Sequence, residues 1–132
     1  MEKTIRIGNV SSIDYEDGLI SVTYPDMDDD TTDLFPVLTV GGEYKMPDIG
    51  DEVLVVHLSN GLQTGVVLGT FWNEDNPPEE FGEGLFRKEL GTYPGEAYAR
   101  YKDGVLELRV PSEIKLTTDQ GSILLSDLLA QQ

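Results

Sequence analysis

The chain contains no cysteine, a single histidine and few basic residues. Without cysteine, neither a disulfide framework nor a thiolate zinc or iron–sulfur site is possible, and the redox compartment stays open. Nine basic residues stand against 25 acidic ones, which gives a formal charge of −16. Because such a charge repels phosphate backbones and anionic membrane surfaces, we expect no nucleic-acid partner.

Long hydrophobic runs are also missing from the start of the chain. Residues 1–10 alternate between polar and apolar side chains, with no stretch suited to a signal peptide or a membrane span. We therefore expect synthesis in the cytoplasm without a signal peptide. At 132 residues, the chain has room for one ordinary domain and an appendage.

The first part of the chain shows the period of two that is typical of strands. Ile5 and Ile7 alternate with Arg6, and Gly8 indicates a bulge. The turn 16–18 ends in a glycine, and apolar residues recur at every second position over 20–24. These features predict a first β-hairpin.

An acidic stretch, Asp26–Asp33, follows this hairpin. Its first aspartates have the spacing of a calcium loop, but Thr31 stands at the sixth position and Val37 at the twelfth, which excludes an EF-hand. A solvated loop is favoured over a weak divalent-cation site.

Residues 52–58 form the most apolar run, which predicts a central strand buried on both faces. Asn60-Gly61 then indicates a hairpin turn, and residues 62–72 complete the sheet. Five strands in this length predict a closed barrel of the OB type over residues 1–72. His57 lies within the apolar run and is interpreted as a structural histidine rather than a base or metal ligand, since no second histidine exists.

Residues 73–97 read as an acidic linker rich in proline and glycine, with a helical turn expected over 86–90. Its pair Glu79-Glu80 has the residue type of glycosidase carboxylates, but a proline-rich linker offers no rigid cleft for that chemistry. We therefore expect no enzymatic activity. Phe71 and Trp72 precede the linker, and an interface is favoured over a stacking site because no basic residue flanks them.

Alternation returns over residues 98–132, where charged residues occupy one face of short strands and apolar residues the other. A single layer leaves such an apolar stripe in water, so burial against copies of the same chain is expected. The tail has leucines four apart, as on a helix face, and either a short helix or a strand fits it. The candidate interface residues are Leu106, Leu108, Val110, Ile114 and Leu116.

Four elements in order carry a family resemblance: Gly8-Asn9-Val10, the segment 18–22, the segment 46–55 and the Gly-Val-Val-Leu-Gly of 65–69. Together they resemble phage baseplate assembly protein V, the spike family of contractile tails, which is related to type VI secretion spikes. The resemblance implies an all-β homotrimer, with an OB barrel at residues 1–72 and an intertwined β-prism or β-helix at 98–132. It further implies a place in a virion tail or phage-tail-like particle after synthesis in the bacterial cytoplasm, with tail hub, tube and baseplate proteins as partners.

The resemblance also implies a structural, membrane-piercing point that contacts the target membrane mechanically and needs no cofactor. Some spikes of this family end in a His-x-His metal site, which this chain lacks because His57 is its single histidine. The extension is short, so either the spike is blunt or a separate tip protein caps it. The alternative from a different class is a monomeric OB module that binds a carbohydrate or a peptide.

Overall fold

The computed structural model describes residues 4–58 and 63–131 and divides the chain into two compact units. The first, Met1–Asn76, is called the barrel unit, and the second, Pro77–Gln132, the C-terminal unit. The predicted division at 1–72, 73–97 and 98–132 stays a prediction. The strands of the barrel unit are β1 Ile5–Asp14, β2 Leu19–Tyr24, β3 Asp30–Thr31, β4 Phe35–Pro36, β5 Glu52–His57 and β6 Gly65–Gly69.

The strands of the barrel unit form one sheet that closes on itself. Antiparallel pairs run in the order β3-β2-β1-β5-β6, and β4 pairs with β2 on the same edge as β3. Closure comes from a parallel bridge between Val37 and Val67, where the Leu38 amide donates to the Val67 carbonyl over 2.8 Å. The predicted β1–β2 hairpin is confirmed, with Gly18 at a φ of 67°. The predicted Asn60-Gly61 turn lies outside the described residues.

Apolar side chains from all the longer strands meet inside this barrel. The fully buried aromatic pair Tyr24 and Phe35 is surrounded by aliphatic residues, and Thr32 lies at the edge of the interior. The remaining members of the core cluster are Val10, Ile20, Val22, Val53, Val55 and Val67.

Two expectations for the barrel unit are wrong. Strand β5 is fully buried on one face only, because Leu54 and Val56 point out of a single-layered barrel and are only partly buried. The bulge lies between Val10 and Ser12 rather than at Gly8. A Cβ atom at Gly8 would lie 2.6 Å from side-chain atoms of Tyr24, so this glycine provides space for the tyrosine ring.

The C-terminal unit contains a three-stranded sheet, a two-stranded hairpin and one short helix. The predicted helical turn over 86–90 is wrong: residues 86–89 form a strand whose alternate side chains face opposite sides of the sheet. The tail forms both of the alternatives: residues 121–124 are a strand, and the short terminal helix is confirmed over Leu125–Leu129. The elements are β7 Phe86–Glu89, β8 Tyr98–Lys102, β9 Val105–Arg109, β10 Lys115–Thr118, β11 Gly121–Leu124 and α1 Leu125–Leu129.

Candidate functional site: an exposed apolar face and a charged face in the C-terminal unit

Strands β7, β8 and β9 present an apolar face to water. The strand register places Leu106 opposite Tyr101 and Leu108 opposite Ala99, while Phe86 lies across from Tyr101 on the other side. Leu106 is 65% exposed and Leu108 49%, and both aromatic rings are about as open. Because residues at every second position share a face, these side chains form one surface, called the apolar face of the β7–β9 sheet. Lys88 lies on the same face at its β7 edge, opposite Ala99.

The other predicted interface residues lie beyond this sheet. Val110 and Ile114 are half-buried on the segment that joins β9 to β10, and Leu116 is 60% exposed on β10. Strand β10 pairs with β11 and not with β9, so one continuous stripe from Leu106 to Leu116 does not form within a single sheet. The five residues remain a predicted interface.

The opposite face of the β7–β9 sheet carries charge. Arg87 and Arg100 stand directly opposite each other on β7 and β8, an arrangement that repels unless an anion lies between them. Glu80 provides that anion: its Oε1 accepts from Arg87 Nη1 at 3.1 Å and from Arg100 Nε at 2.8 Å. Its Oε2 accepts from Arg100 Nη2 at 2.8 Å. Hydrogen bonds from both guanidinium groups lower the pKa of Glu80 to about 2.

Arg87 is held from two further directions. Its Nε donates to Glu89 Oε2 at 2.7 Å, and its guanidinium carbon lies 3.9 Å from the centroid of the Tyr98 ring, a cation–π contact. The same Glu89 accepts from the Gly95 amide at 2.6 Å. The hydrogen bonds from Arg87 and Arg100 therefore hold the segment around Glu80 against the charged face of the sheet. Sequence reasoning treated Glu80 only as a linker carboxylate, since its partners lie 7 and 20 residues away.

The helix α1 is fastened in a similar way by Glu113. One carboxylate oxygen of Glu113 accepts from the amides of Ile114 and Ser126, and the other accepts from the Ser126 hydroxyl. The hydrogen bonds from Ser126 are the main cause that lowers the pKa of Glu113. This arrangement leaves the leucines of α1 on the surface of the unit: Leu125, Leu128 and Leu129.

In the barrel unit, the histidine singled out by the sequence lies against the core. His57 is 5% exposed, and its Nε2 lies 2.7 Å from the Tyr24 hydroxyl. The ring of Phe35 meets the imidazole edge-on at 5.5 Å between centroids. Burial raises the pKa of Tyr24 to about 12. These contacts fit the interpretation of His57 as a structural residue that orients the aromatic core.

Residues 6–72 match the family of type VI secretion system/phage-baseplate injector OB domains. The chain belongs to this family. No curated protein matches the chain at a significant level. The predicted OB barrel is thereby confirmed over the barrel unit, while the family match ends before the C-terminal unit begins.

Membership of the injector OB family gives the barrel unit a structural role related to the spikes of phage baseplates and type VI secretion systems. Within residues 4–58 and 63–131, no group of three or more His, Cys, Asp or Glu side chains is arranged to hold a metal ion. Among those same residues, no helix is long and apolar enough to cross a membrane.

Proposed function

We propose that the protein is a structural spike component of a contractile phage tail or phage-tail-like particle, and that it works as a homotrimer. The support comes from the injector OB family together with the apolar face of the β7–β9 sheet. Four exposed apolar side chains on one small sheet are more than a monomer ordinarily leaves in water. In the proposal, these side chains meet their copies around a threefold axis, and the C-terminal unit forms the membrane-piercing point.

The charges of the two units support self-association through the C-terminal unit. The barrel unit carries 15 acidic and 3 basic residues, a formal charge of −12, whereas the C-terminal unit carries 10 acidic and 6 basic residues, a charge of −4. Bringing identical copies together costs electrostatic free energy that grows with their charge. The C-terminal unit therefore carries the smaller repulsion, and it also has more of the exposed large apolar side chains among the described residues.

The role is proposed to be mechanical rather than catalytic. The carboxylate pair that sequence analysis considered for glycoside hydrolysis includes Glu80, and two arginines bind its oxygens. Such a carboxylate stays ionised and is therefore poorly suited to act as a general acid. Tail hub, tube and baseplate proteins are the proposed partners, together with a separate tip protein.

The test is the mass in solution of the full chain and of the variant Leu108→Asp. The wild type is expected at about 44 kDa, three times the 14.6 kDa of one chain. Leu108→Asp is expected to give monomers, because three carboxylates brought together in an apolar contact are strongly unfavourable.

Val105→Asp is the matched control, since Val105 lies on the same strand and its side chain points to the opposite face. It should leave the trimer intact. A wild-type monomer at micromolar concentration would exclude the trimeric spike and favour the monomeric binding module. A trimer that persists in Leu108→Asp would show that the apolar face of the β7–β9 sheet is not the contact.

A further inference from the structure

The barrel unit has an apolar surface of its own that the trimer contact does not use. On β1, Ile5 and Ile7 point outwards and are 58% and 50% exposed, while Arg6 between them is largely buried. This reverses the usual arrangement, in which the apolar residues of an alternating strand face the core. Departures of this kind from sequence rules concentrate at functional surfaces.

The reversal is fixed by the interior of the barrel. Gly8 lies on the inward side, where a Cβ atom would come within 2.6 Å of both Tyr24 and Val22 side-chain atoms. A slip of one residue would put a larger side chain into that space, so the register that turns Ile7 outwards is the one that fits. Arg6 is held inside by the Tyr24 ring, 5.7 Å from its guanidinium carbon, and by Asp26 at 3.8 Å.

The outward side chains of the neighbouring strands extend this surface. The register pairs Ile5 with Val56 and Ile7 with Leu54, and it pairs Val56 with Val66 on the far side of β5. Leu68 continues the row on β6 and is 40% exposed. We call this surface the outer barrel face, and its members are Ile5, Ile7, Leu54, Val56, Val66 and Leu68.

We infer that the outer barrel face is a docking surface for a different protein, one that presents an apolar centre surrounded by lysine and arginine side chains. An uninterrupted aliphatic surface across three strands marks an interaction site. The charge of the barrel unit, −12, decides between occupants. A second copy of the barrel unit would bring equal charge against it, whereas a basic rim is attracted.

Glu52 forms part of an acidic rim around the outer barrel face. It points outwards on β5 two residues before Leu54 and is exposed, beside Asn73, which donates to its carboxylate at 3.3 Å. Arg6 adds no free positive charge to the surface, because Asp26 pairs with it. The inference extends the proposed function to a second partner, and it rests on that function only for the assignment of self-contact to the C-terminal unit.

The test places the photocrosslinking residue p-benzoylphenylalanine at position 7 or 68 of the full chain, in cells that make the complete particle. Both positions should give the same adduct with one non-identical protein, which mass spectrometry identifies and whose net charge should be positive. The yield should fall when lysis and irradiation take place near 1 M salt, where the Debye length is about 3 Å. Position 17, on the exposed β1–β2 turn, is the background control.

A second variant links the adduct to the surface itself. Leu68→Asp should lower the adduct yield from position 7 by about tenfold or more, since it places a charge in an apolar contact. Val40→Asp, an equally acidic change at a more exposed apolar residue, should leave the yield unchanged. Thermal unfolding of each variant checks that the barrel stays folded.

Three results would overturn the inference: adducts with copies of this chain alone, an acidic partner, or yields no higher than at position 17. The crosslinker at position 108 tests the proposed function separately, because it should give only self-adducts. Loss of self-adducts at 108 with a basic adduct at 7 would reject the trimer contact and retain the docking surface. The reverse pattern would reject the docking surface alone.

Discussion

The barrel unit gathers eight buried apolar residues into one cluster, whereas Ala97 is the one buried apolar residue among the described residues of the C-terminal unit. In place of a core, the C-terminal unit has ion pairs on one face of a sheet and exposed leucines and aromatic rings on the other. Since burial of apolar surface is the dominant stabilising contribution to folding, the barrel unit contains what it needs to fold alone. The C-terminal unit does not, and the proposed trimer would complete it.

Because the cluster of buried apolar residues lies in the barrel unit, the largest loss of stability is expected when a side chain inside the barrel is truncated. Phe35→Ala should lower the free energy of unfolding by about 3–5 kcal/mol, because the ring is fully buried and its removal leaves a cavity. Urea unfolding followed by circular dichroism measures the change. Phe81→Ala, at a ring that is 83% exposed in the C-terminal unit, should change the same quantity by no more than about 0.5 kcal/mol. Similar losses of unfolding free energy in Phe35→Ala and Phe81→Ala would contradict the proposed difference between the two units.

Much of the barrel could be predicted from the sequence because its signals are local. The period of two over 20–24 and the glycine of the turn 16–18 define the first hairpin. The order of the glycine and valine elements carried the family resemblance, and the family match over 6–72 confirms it.

The remaining features depend on contacts that are distant in sequence. Strand β7 was missed because Phe86–Glu89 alternates charged residues on one face with a phenylalanine and a lysine on the other, and only pairing with β8 stabilises it. The role of Glu80 follows from two arginines that the register brings together. Ile5 and Ile7 point outwards because Gly8 is the residue that fits beside Tyr24 in the interior. The alternation of polar and apolar residues alone predicts the opposite, with the isoleucines facing the core.

A smaller loss of stability is expected for Gly8→Ala, which tests how tightly the barrel interior packs against strand β1. In Gly8→Ala the new methyl group would meet Tyr24, Val22 and the carbonyl of Thr23, each within 2.7 Å. Overpacking of this kind costs about 1–3 kcal/mol, measured as the change in the free energy of unfolding. Ser11→Ala, at an exposed residue of the same strand, is the control and should change little. An unchanged stability in Gly8→Ala would mean that the interior tolerates other registers of β1.

The smallest effect is expected in the C-terminal unit, for Glu80→Gln. Glutamine keeps the shape of the side chain but removes the charge that separates Arg87 from Arg100. Partly exposed ion pairs contribute little each, so the loss of stability should be smaller than at Gly8. The dependence of this loss of stability on pH shows whether it arises from the charge of the carboxylate. The pKa of Glu80 falls from 4.5 to about 2 on folding, so the carboxylate stabilises the folded state above pH 4.5.

That stabilisation disappears as the pH falls from 4.5 towards 2, because protonation then gives Glu80 the same neutral charge that glutamine has. The difference in unfolding midpoint between wild type and Glu80→Gln should therefore be full at pH 7 and close to zero near pH 2. Glu83→Gln, an exposed residue of the same segment, should show no comparable difference at either pH. A difference that persists unchanged at pH 2 would mean that shape and packing, rather than the carboxylate charge, fasten this segment. The charge of Glu80 would then not stabilise the C-terminal unit, and this difference from the apolar barrel unit would be contradicted.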